Sequence, residues 1–203
     1  MIARANSLRF LPLVVLPALA GCLSPSHPPE VACWNLEYTA PAASSAEAKP
    51  KFGVVRVSQV MVRAPYGAKS IAVLRGNGTV AFDPYNEFAA GVAQLMKGMV
   101  AEAMEGSGLF DSVVGSSSSA GSDVFAEATV TRLALDCREQ GKRKAVADVS
   151  VMLVSGRDIV AKASGSGEAS ASDGNYGKAF SRAVSDALAK ALKGLCGEKD
   201  AKQ

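Results

Sequence analysis

The residues most suited to chemistry stand close together in the stretch "AVLRGNGTVAFDPYNEFAAG", residues 72–91. Asp83 and Glu87 are two carboxylates four residues apart, with a phenol at Tyr85 and an amide at Asn86 between them. A glycoside hydrolase would need two carboxyls held about 5 to 9.5 Å apart across a cleft. Asp followed by Pro is instead typical of a helix start, because the carboxylate caps free amides and Pro has no amide to lose. We therefore predict a helix that begins at Pro84 and assign no catalytic residue.

The single histidine, His27, excludes most other catalysis. It lies in the proline-rich stretch 23–32, and a histidine general base must be held by a packed scaffold. No cluster of Cys and His has zinc-ligand spacing, and the glycine pairs match neither the GxxxxGK[ST] nor the GxGxxG pattern. We expect a protein that is not an enzyme and that binds neither a metal nor a cofactor.

The first two dozen residues have the pattern of a secretory signal. Arg4 and Arg9 precede a short apolar run, residues 10–18, which is about half of the roughly 20 residues that span a membrane. The run ends in Leu19-Ala20-Gly21-Cys22, which resembles a bacterial lipobox.

In that pattern Leu19, Ala20 and Gly21 are read by the signal peptidase, residues 1–21 are removed, and Cys22 carries diacylglycerol and an N-acyl chain such as palmitate. Several acyl chains anchor a protein far more firmly than one. Leu23 stands where an Asp commonly retains lipoproteins at the inner membrane. The resemblance therefore implies a lipid anchor in the envelope that faces the periplasm, with the outer membrane favoured over the inner.

The chain that remains has balanced charge. Without Arg4 and Arg9 it holds 20 basic and 19 acidic side chains. Such a balance gives no electrostatic footprint for nucleic acid. We expect a tether at 22–32, one domain at 33–197 and a charged tail at 198–203.

The hydrophobic periodicity predicts strands first, then a helix, then strands and a second helix. Strands are expected at 34–38, 52–62, 70–75, 79–82, 109–114, 124–136, 145–154 and 159–170, and helices from Pro84 and after Asn175. The second helix carries an apolar stripe that runs from Phe180 to Leu195. We predict an α+β fold, a largely antiparallel sheet with two amphipathic helices packed on one face. Met96, Met99 and Met104 on the first helix are interpreted as core, with a lipid or partner groove as the alternative.

Three cysteines remain besides Cys22, so three pairings are open. The second helix starts near the 137–144 hairpin and carries Cys196 away from Cys137 by roughly 1.5 Å per residue. A disulfide needs Cα atoms within about 7 Å. We therefore favour a disulfide between Cys33 and Cys137.

As a whole, residues 52–114 resemble the ABC-type transport auxiliary lipoproteins. The matching features are the Val-rich run 54–57, Pro65-Tyr66, the run 73–75 that ends in Arg75, Phe82 and the helix from Pro84. The resemblance implies an accessory role beside ABC transporter subunits and MCE-type substrate-binding proteins, which move lipids or other apolar molecules across the envelope.

The chain departs from that family at the helix entry. Relatives commonly have a basic residue and a Trp there, where this chain has Asn86-Glu87-Phe88. We therefore expect a partner-specific contact at Asn86 and Glu87. The favoured function is a docking component of an ABC-type transport system; the alternative is an envelope-assembly or secretion lipoprotein without an ABC partner. Exposed sheet edges make a homo-oligomer plausible.

Overall fold

The computed structural model describes residues 30–40 and 50–197. The predicted signal peptide, Cys22, the tether up to residue 29 and the tail 198–203 lie outside the described residues. Val31 begins one compact unit that includes the rest of the described chain.

An eight-stranded mixed sheet and two helices build this unit. The strands are β1 (Ala32–Trp34), β2 (Phe52–Val62), β3 (Ser70–Arg75), β4 (Val80–Phe88), β5 (Phe110–Val114), β6 (Val124–Cys137), β7 (Lys144–Ser155) and β8 (Asp158–Ser170), and the helices are α1 (Val92–Gly106) and α2 (Tyr176–Gly197). The predicted α+β class is confirmed. Most predicted strands are found within a residue or two, because each has apolar side chains at alternate positions.

The long strand β6 organises the sheet. One of its edges pairs antiparallel with β7, which pairs antiparallel with β8. Its other edge pairs in parallel with β2 over the first half and with β3 near the end, so β2 and β3 follow each other along the same edge. β5 then pairs in parallel with β2, and β1 in parallel with β4. The sheet is therefore more mixed than the hairpin signals predicted.

Helix α2 packs on β7 and β8. Its predicted apolar stripe is buried at every position: Phe180, Ala183, Val184, Ala187, Leu188, Ala191, Leu192 and Leu195. The contact is close because β8 has glycines below the helix: a Cβ at Gly165 or Gly167 would overlap carbonyl oxygens of α2. Small residues on both sides let this helix lie directly against the strand.

The predicted start of the first helix at Pro84 is wrong. β4 continues through Asp83 and Pro84 to Phe88, and α1 begins only at Val92. The pairing of β4 with β3 shifts register between Ser70 and Ala72, so residues 83–86 bulge away from the β3 ladder. Pro84 stands in that bulge, where its missing amide removes no ladder hydrogen bond.

Helix α1 contacts β2, β5 and α2. Its methionines Met96, Met99 and Met104 are at most 2% exposed. The interpretation of this face as core is therefore confirmed, and the groove alternative is not.

Candidate docking surface

The sheet has a face that no described helix covers, which we call the open face. Paired residues of neighbouring strands point to the same side of a sheet. Buried Leu133 and its partner Ala147 lie under the helices, so the residues between such positions belong to the open face. One row across it consists of Met61, Thr129, Ser150 and Ser164.

Most of the large exposed hydrophobic side chains lie on this open face. Met61 is 53% exposed, Val80 41%, Phe82 49%, Phe125 40% and Ile159 62%. Their strand partners fix the side: Val80 is opposite Leu74 and Phe82 opposite Ala72, while Phe125, Val154 and Ile159 form one row. Scattered exposed hydrophobics are ordinary, but several on one face indicate an interaction surface.

A small second hydrophobic cluster lies on the open face. Ala72, Ala134 and Val146 are buried together, with Tyr66 and Leu74 packed against them. Tyr66 belongs to the segment between β2 and β3, and its backbone amide donates to the Arg63 carbonyl at 2.9 Å. Near the β3–β4 hairpin, therefore, part of the open face is covered by packed side chains of the protein itself.

Beside that cluster a shallow trough crosses the sheet. It is lined by residues of β2, β6, β7 and β8, among them Met61, Thr129, Ser150, Met152 and Lys162. Small hydroxyl side chains form part of its lining next to two methionines.

Two ion pairs lie on the open face. Arg132 places Nε 2.8 Å from Oδ2 of Asp148 and donates from Nη2 to Oδ1 at 3.2 Å. Lys144 Nζ lies 3.1 Å from Oε1 of Glu168. In each pair the opposite charges lie side by side, so their fields largely cancel at a distance.

A third pair lies at the end of β6. The Arg138 guanidinium donates from Nε to Oδ1 of Asp136 and from Nη2 to Oδ2, and this hydrogen bonding lowers the pKa of Asp136 below its ordinary value. The pair stabilises the start of the β6–β7 turn.

The cluster that suggested acid–base chemistry is part of the structure of β4. Asp83 Oδ1 accepts hydrogen bonds from the Tyr85 amide at 2.9 Å and from Asn86 Nδ2 at 3.1 Å. Asn86 Oδ1 in turn accepts from Trp34 Nε1 at 2.9 Å, and Glu87 Oε1 accepts from Cys33 Sγ at 3.4 Å. These side chains fasten β1 to β4. The predicted partner contact at Asn86 and Glu87 stays a prediction.

The disulfide favoured between Cys33 and Cys137 is not formed. Cys33, Cys137 and Cys196 are free thiols. Cys33 is level with Glu87, which pairs with Ser70 at one end of β3, whereas Cys137 is paired with Arg75 at the other end. At about 3.3 Å per residue the two cysteines stand roughly 16 Å apart along the strands, well beyond disulfide range.

Two serines that the sequence analysis did not single out hold the segment after β1. Ser181 and Ser185 of α2 are 8% and 3% exposed, and their Oγ atoms accept hydrogen bonds from the amides of Glu37 and Thr39, each at 3.0 Å. We call residues 32–39 the strap. The sequence feature that could have predicted this contact is a pair of serines at i, i+4 on one side of an alanine-rich helix. The distance between two such hydroxyls matches the distance between every second amide of an extended chain.

Within the described ranges, no group of His, Cys, Asp and Glu is placed to hold a metal ion. In the same part of the chain no helix has the length and apolar character that crossing a bilayer requires.

Comparisons with known proteins place this fold beside a small group of solved structures. The crystal structure of protein XCC0632 from Xanthomonas campestris, a DUF330 protein, is 18% identical, covers 85% of this chain and 99% of its own, and has a TM-score of 0.65. The crystal structure of an uncharacterized protein is 14% identical, covers 78% of this chain and 95% of its own, and has a TM-score of 0.53. A PelC dodecamer from Paraburkholderia phytofirmans has a TM-score of 0.45 at 14% identity, with 77% and 94% covered. At these identities the likeness concerns the fold.

No family model matches the chain, and no curated protein matches it. The similar solved structure with the TM-score of 0.65 carries the family name DUF330. This finding corrects the assignment to the ABC-type transport auxiliary lipoproteins, which rested on strand and turn patterns. Those patterns describe an α+β layout that the structure has, and a layout is weaker evidence of family than an invariant motif.

Proposed function

We propose that the protein is a lipid-anchored docking component of a cell-envelope complex, and that the open face binds a partner protein. The observation that carries the proposal is the presence of Met61, Val80, Phe82, Phe125 and Ile159, all large and exposed, on the one face that the helices leave uncovered.

The composition of the open face favours a protein over a membrane or nucleic acid. Its apolar side chains alternate with ion pairs such as Arg132–Asp148 and Lys144–Glu168. An anionic bilayer or a phosphate backbone would require unpaired cations. Large apolar side chains beside ion pairs are characteristic of protein–protein contacts.

The lipobox supports the anchoring part of the proposal. Replacing Cys22 with Ser removes the acylated thiol, so the protein should move from the membrane fraction to the soluble periplasmic fraction. A Cys22→Ser protein that stays in the membrane at wild-type level would contradict the lipid anchor without bearing on the docking face.

The docking face is tested by photo-crosslinking in cells that produce the full chain. A crosslinking amino acid at Phe82 should capture one defined partner, whereas the same residue at exposed Lys193 on α2 should not. Ile159→Asp should abolish the Phe82 crosslink, because a carboxylate would be buried at the interface, and Lys193→Glu should leave it unchanged. Equal capture from both positions, or capture that survives Ile159→Asp, would contradict the proposal.

The captured partner also decides the class of complex. A transporter subunit or substrate-binding protein would support the transport role predicted from the sequence. A secretion or assembly component would support the alternative, and a second copy of the chain would show that the open face serves self-association.

A further inference from the structure

The strap has a defined position but few backbone hydrogen bonds to the rest of the domain. β1 contributes three residues, paired on one side only, with Asn86–Phe88 of β4. Beyond β1 the strap backbone is held by the two serine hydroxyls of α2. By contrast, β2 pairs on both edges, with β5 and with β6, and its residues Val55 and Val57 are fully buried.

Alternate side chains of the strap face the domain. Leu36 is 5% exposed, and Trp34 and Tyr38 pack partly buried against the core. The Trp34 ring lies 6.0 Å from that of Tyr176 and so close to Gly177 that a side chain there would press on it. Tyr38 is near Gly106 of α1, and burial together with Glu102 raises its pKa. The strap therefore spans α2 and α1, and it is held in register by every second residue.

The strap is also the first part of the unit that a pull from the N-terminal side would reach, since the unit begins at Val31. Force that enters there acts on the short pairing of β1 with β4 and its two side-chain hydrogen bonds, and on the two backbone-to-serine bonds, before it acts on β2. We infer that the strap is a tension-release segment, which detaches from α1, α2 and β4 when the chain before Val31 is pulled, while the sheet stays folded. The inference rests on the proposed lipid anchor for the source of the pull.

Release of the strap would lengthen the free chain before the domain and would uncover part of the domain surface. The strap would detach, and the nineteen residues from 31 to 49 have a contour length of up to about 65 Å. The same event would uncover the site of Leu36 and the outer side of β4 at Asn86–Phe88. The domain could then meet a partner farther from the membrane than the intact strap allows.

Single-molecule pulling of the mature chain, residues 22–203, between an N-terminal handle and a C-terminal handle tests the inference. The Trp34 ring lies 6.0 Å from that of Tyr176 at the start of α2, and Lys51 donates to the Cys196 carbonyl near its end. The two ends of the released stretch are therefore about 30 Å apart, at 1.5 Å per residue of helix. Release should therefore appear as a first contour increment of about 35 Å, below the force that unfolds the sheet. One rupture of the whole domain without that step would overturn the inference.

Two variants test whether the first rupture in the pulling experiment is release of the strap. Ser181→Ala with Ser185→Ala should lower the first force and leave the second unchanged, because only strap contacts are lost. Ser164→Ala, at an exposed serine of β8, should change neither force. A double variant that weakens only the second rupture would contradict the assignment.

Trp34 provides an independent measurement, because it is the chain's single tryptophan. In rising urea its emission should shift to the red before the far-UV circular dichroism changes, and earlier still in the serine double variant. Coincident transitions in both proteins would contradict a separable strap. None of these measurements needs the acyl chains, so failure of the strap and failure of the lipid anchor at Cys22 are distinguishable.

Discussion

Gly165 of β8 lies directly beneath Ala187 of α2, so close that a Cβ on the glycine would overlap the Ala187 carbonyl oxygen. The obstacle is helix backbone, which cannot rotate away as a side chain could. We expect Gly165→Ala to push α2 off the sheet and to lower the free energy of unfolding by more than about 2 kcal/mol, at the upper end of what overpacking costs. Urea denaturation followed by circular dichroism measures this loss.

Gly98 offers the matched control for that substitution. It lies inside α1, is exposed, and has nothing within 4 Å of a Cβ placed on it. Gly98→Ala should stabilise the protein by about 0.5–1 kcal/mol, because alanine favours the helix more than glycine does. If both substitutions changed the free energy of unfolding in the same direction, the close approach of α2 to β8 would not explain the loss of stability in Gly165→Ala.

The bulge of β4 gives a second prediction. Asp83→Ala removes the acceptor for the Tyr85 amide and for the Asn86 side chain. The free energy of unfolding should fall by about 0.5–1.5 kcal/mol, the range for such bonds. Asp83→Asn keeps an acceptor oxygen and should lose less. Partner capture from Phe82 should persist in both variants; its disappearance in a folded Asp83→Ala protein would indicate a direct role in binding.

The same bulge shows where sequence reasoning stops. Asp83-Pro84 has the chemistry of a helix start, yet the residues that decide its structure are Ser70 on β3 and Trp34 on β1, both distant in sequence. The helix instead begins at Val92, with no side-chain cap. Local propensity could not reveal this, because tertiary pairing extends the strand by six residues past Phe82.

Hydrophobic periodicity predicted the helices and strands correctly where one face of the element is buried. The stripe of α2 from Phe180 to Leu195 and the strands β6, β7 and β8 agree with their patterns. The open face was not predicted, because exposed Phe82 and Ile159 resemble core residues until the pairing shows that they share the uncovered side. Only the topology brings these distant residues onto one surface.

The Asp136–Arg138 pair predicts a pH-dependent contribution to stability. The pKa of Asp136 in the folded protein is below its ordinary 3.8, so the folded state holds its proton less tightly than the unfolded state. The stabilisation is therefore fully present above about pH 5 and is lost as the pH falls through the folded pKa.

Asp136→Asn should lower the free energy of unfolding at pH 7 by about 0.5–1 kcal/mol, a size typical of a partly exposed pair. The difference from wild type should shrink as the pH falls below 3.8 and the Asp136 carboxylate takes up a proton. Glu139→Gln breaks a more exposed pair with Lys142 and should have almost no effect at either pH. A difference for Asp136→Asn that stays constant from pH 7 to pH 2 would contradict an ionic origin.

The thiols give the last prediction. Cys33 and Cys196 are exposed and Cys137 is half-buried. The hydrogen bond to Glu87 raises the pKa of the Cys33 thiol, and burial raises the pKa of the Cys137 thiol. In native Cys22→Ser protein, a maleimide should modify exposed Cys196 faster than exposed Cys33, because the thiolate is the reactive form and the Glu87 hydrogen bond holds Cys33 as the thiol. Cys137 should react most slowly, because it is also half-buried. Mass spectrometry of peptides after timed quenching measures each rate. In denaturant the three rates should converge, whereas a peptide pair linked through Cys33 and Cys137 in unreduced protein would contradict the strand register that separates them.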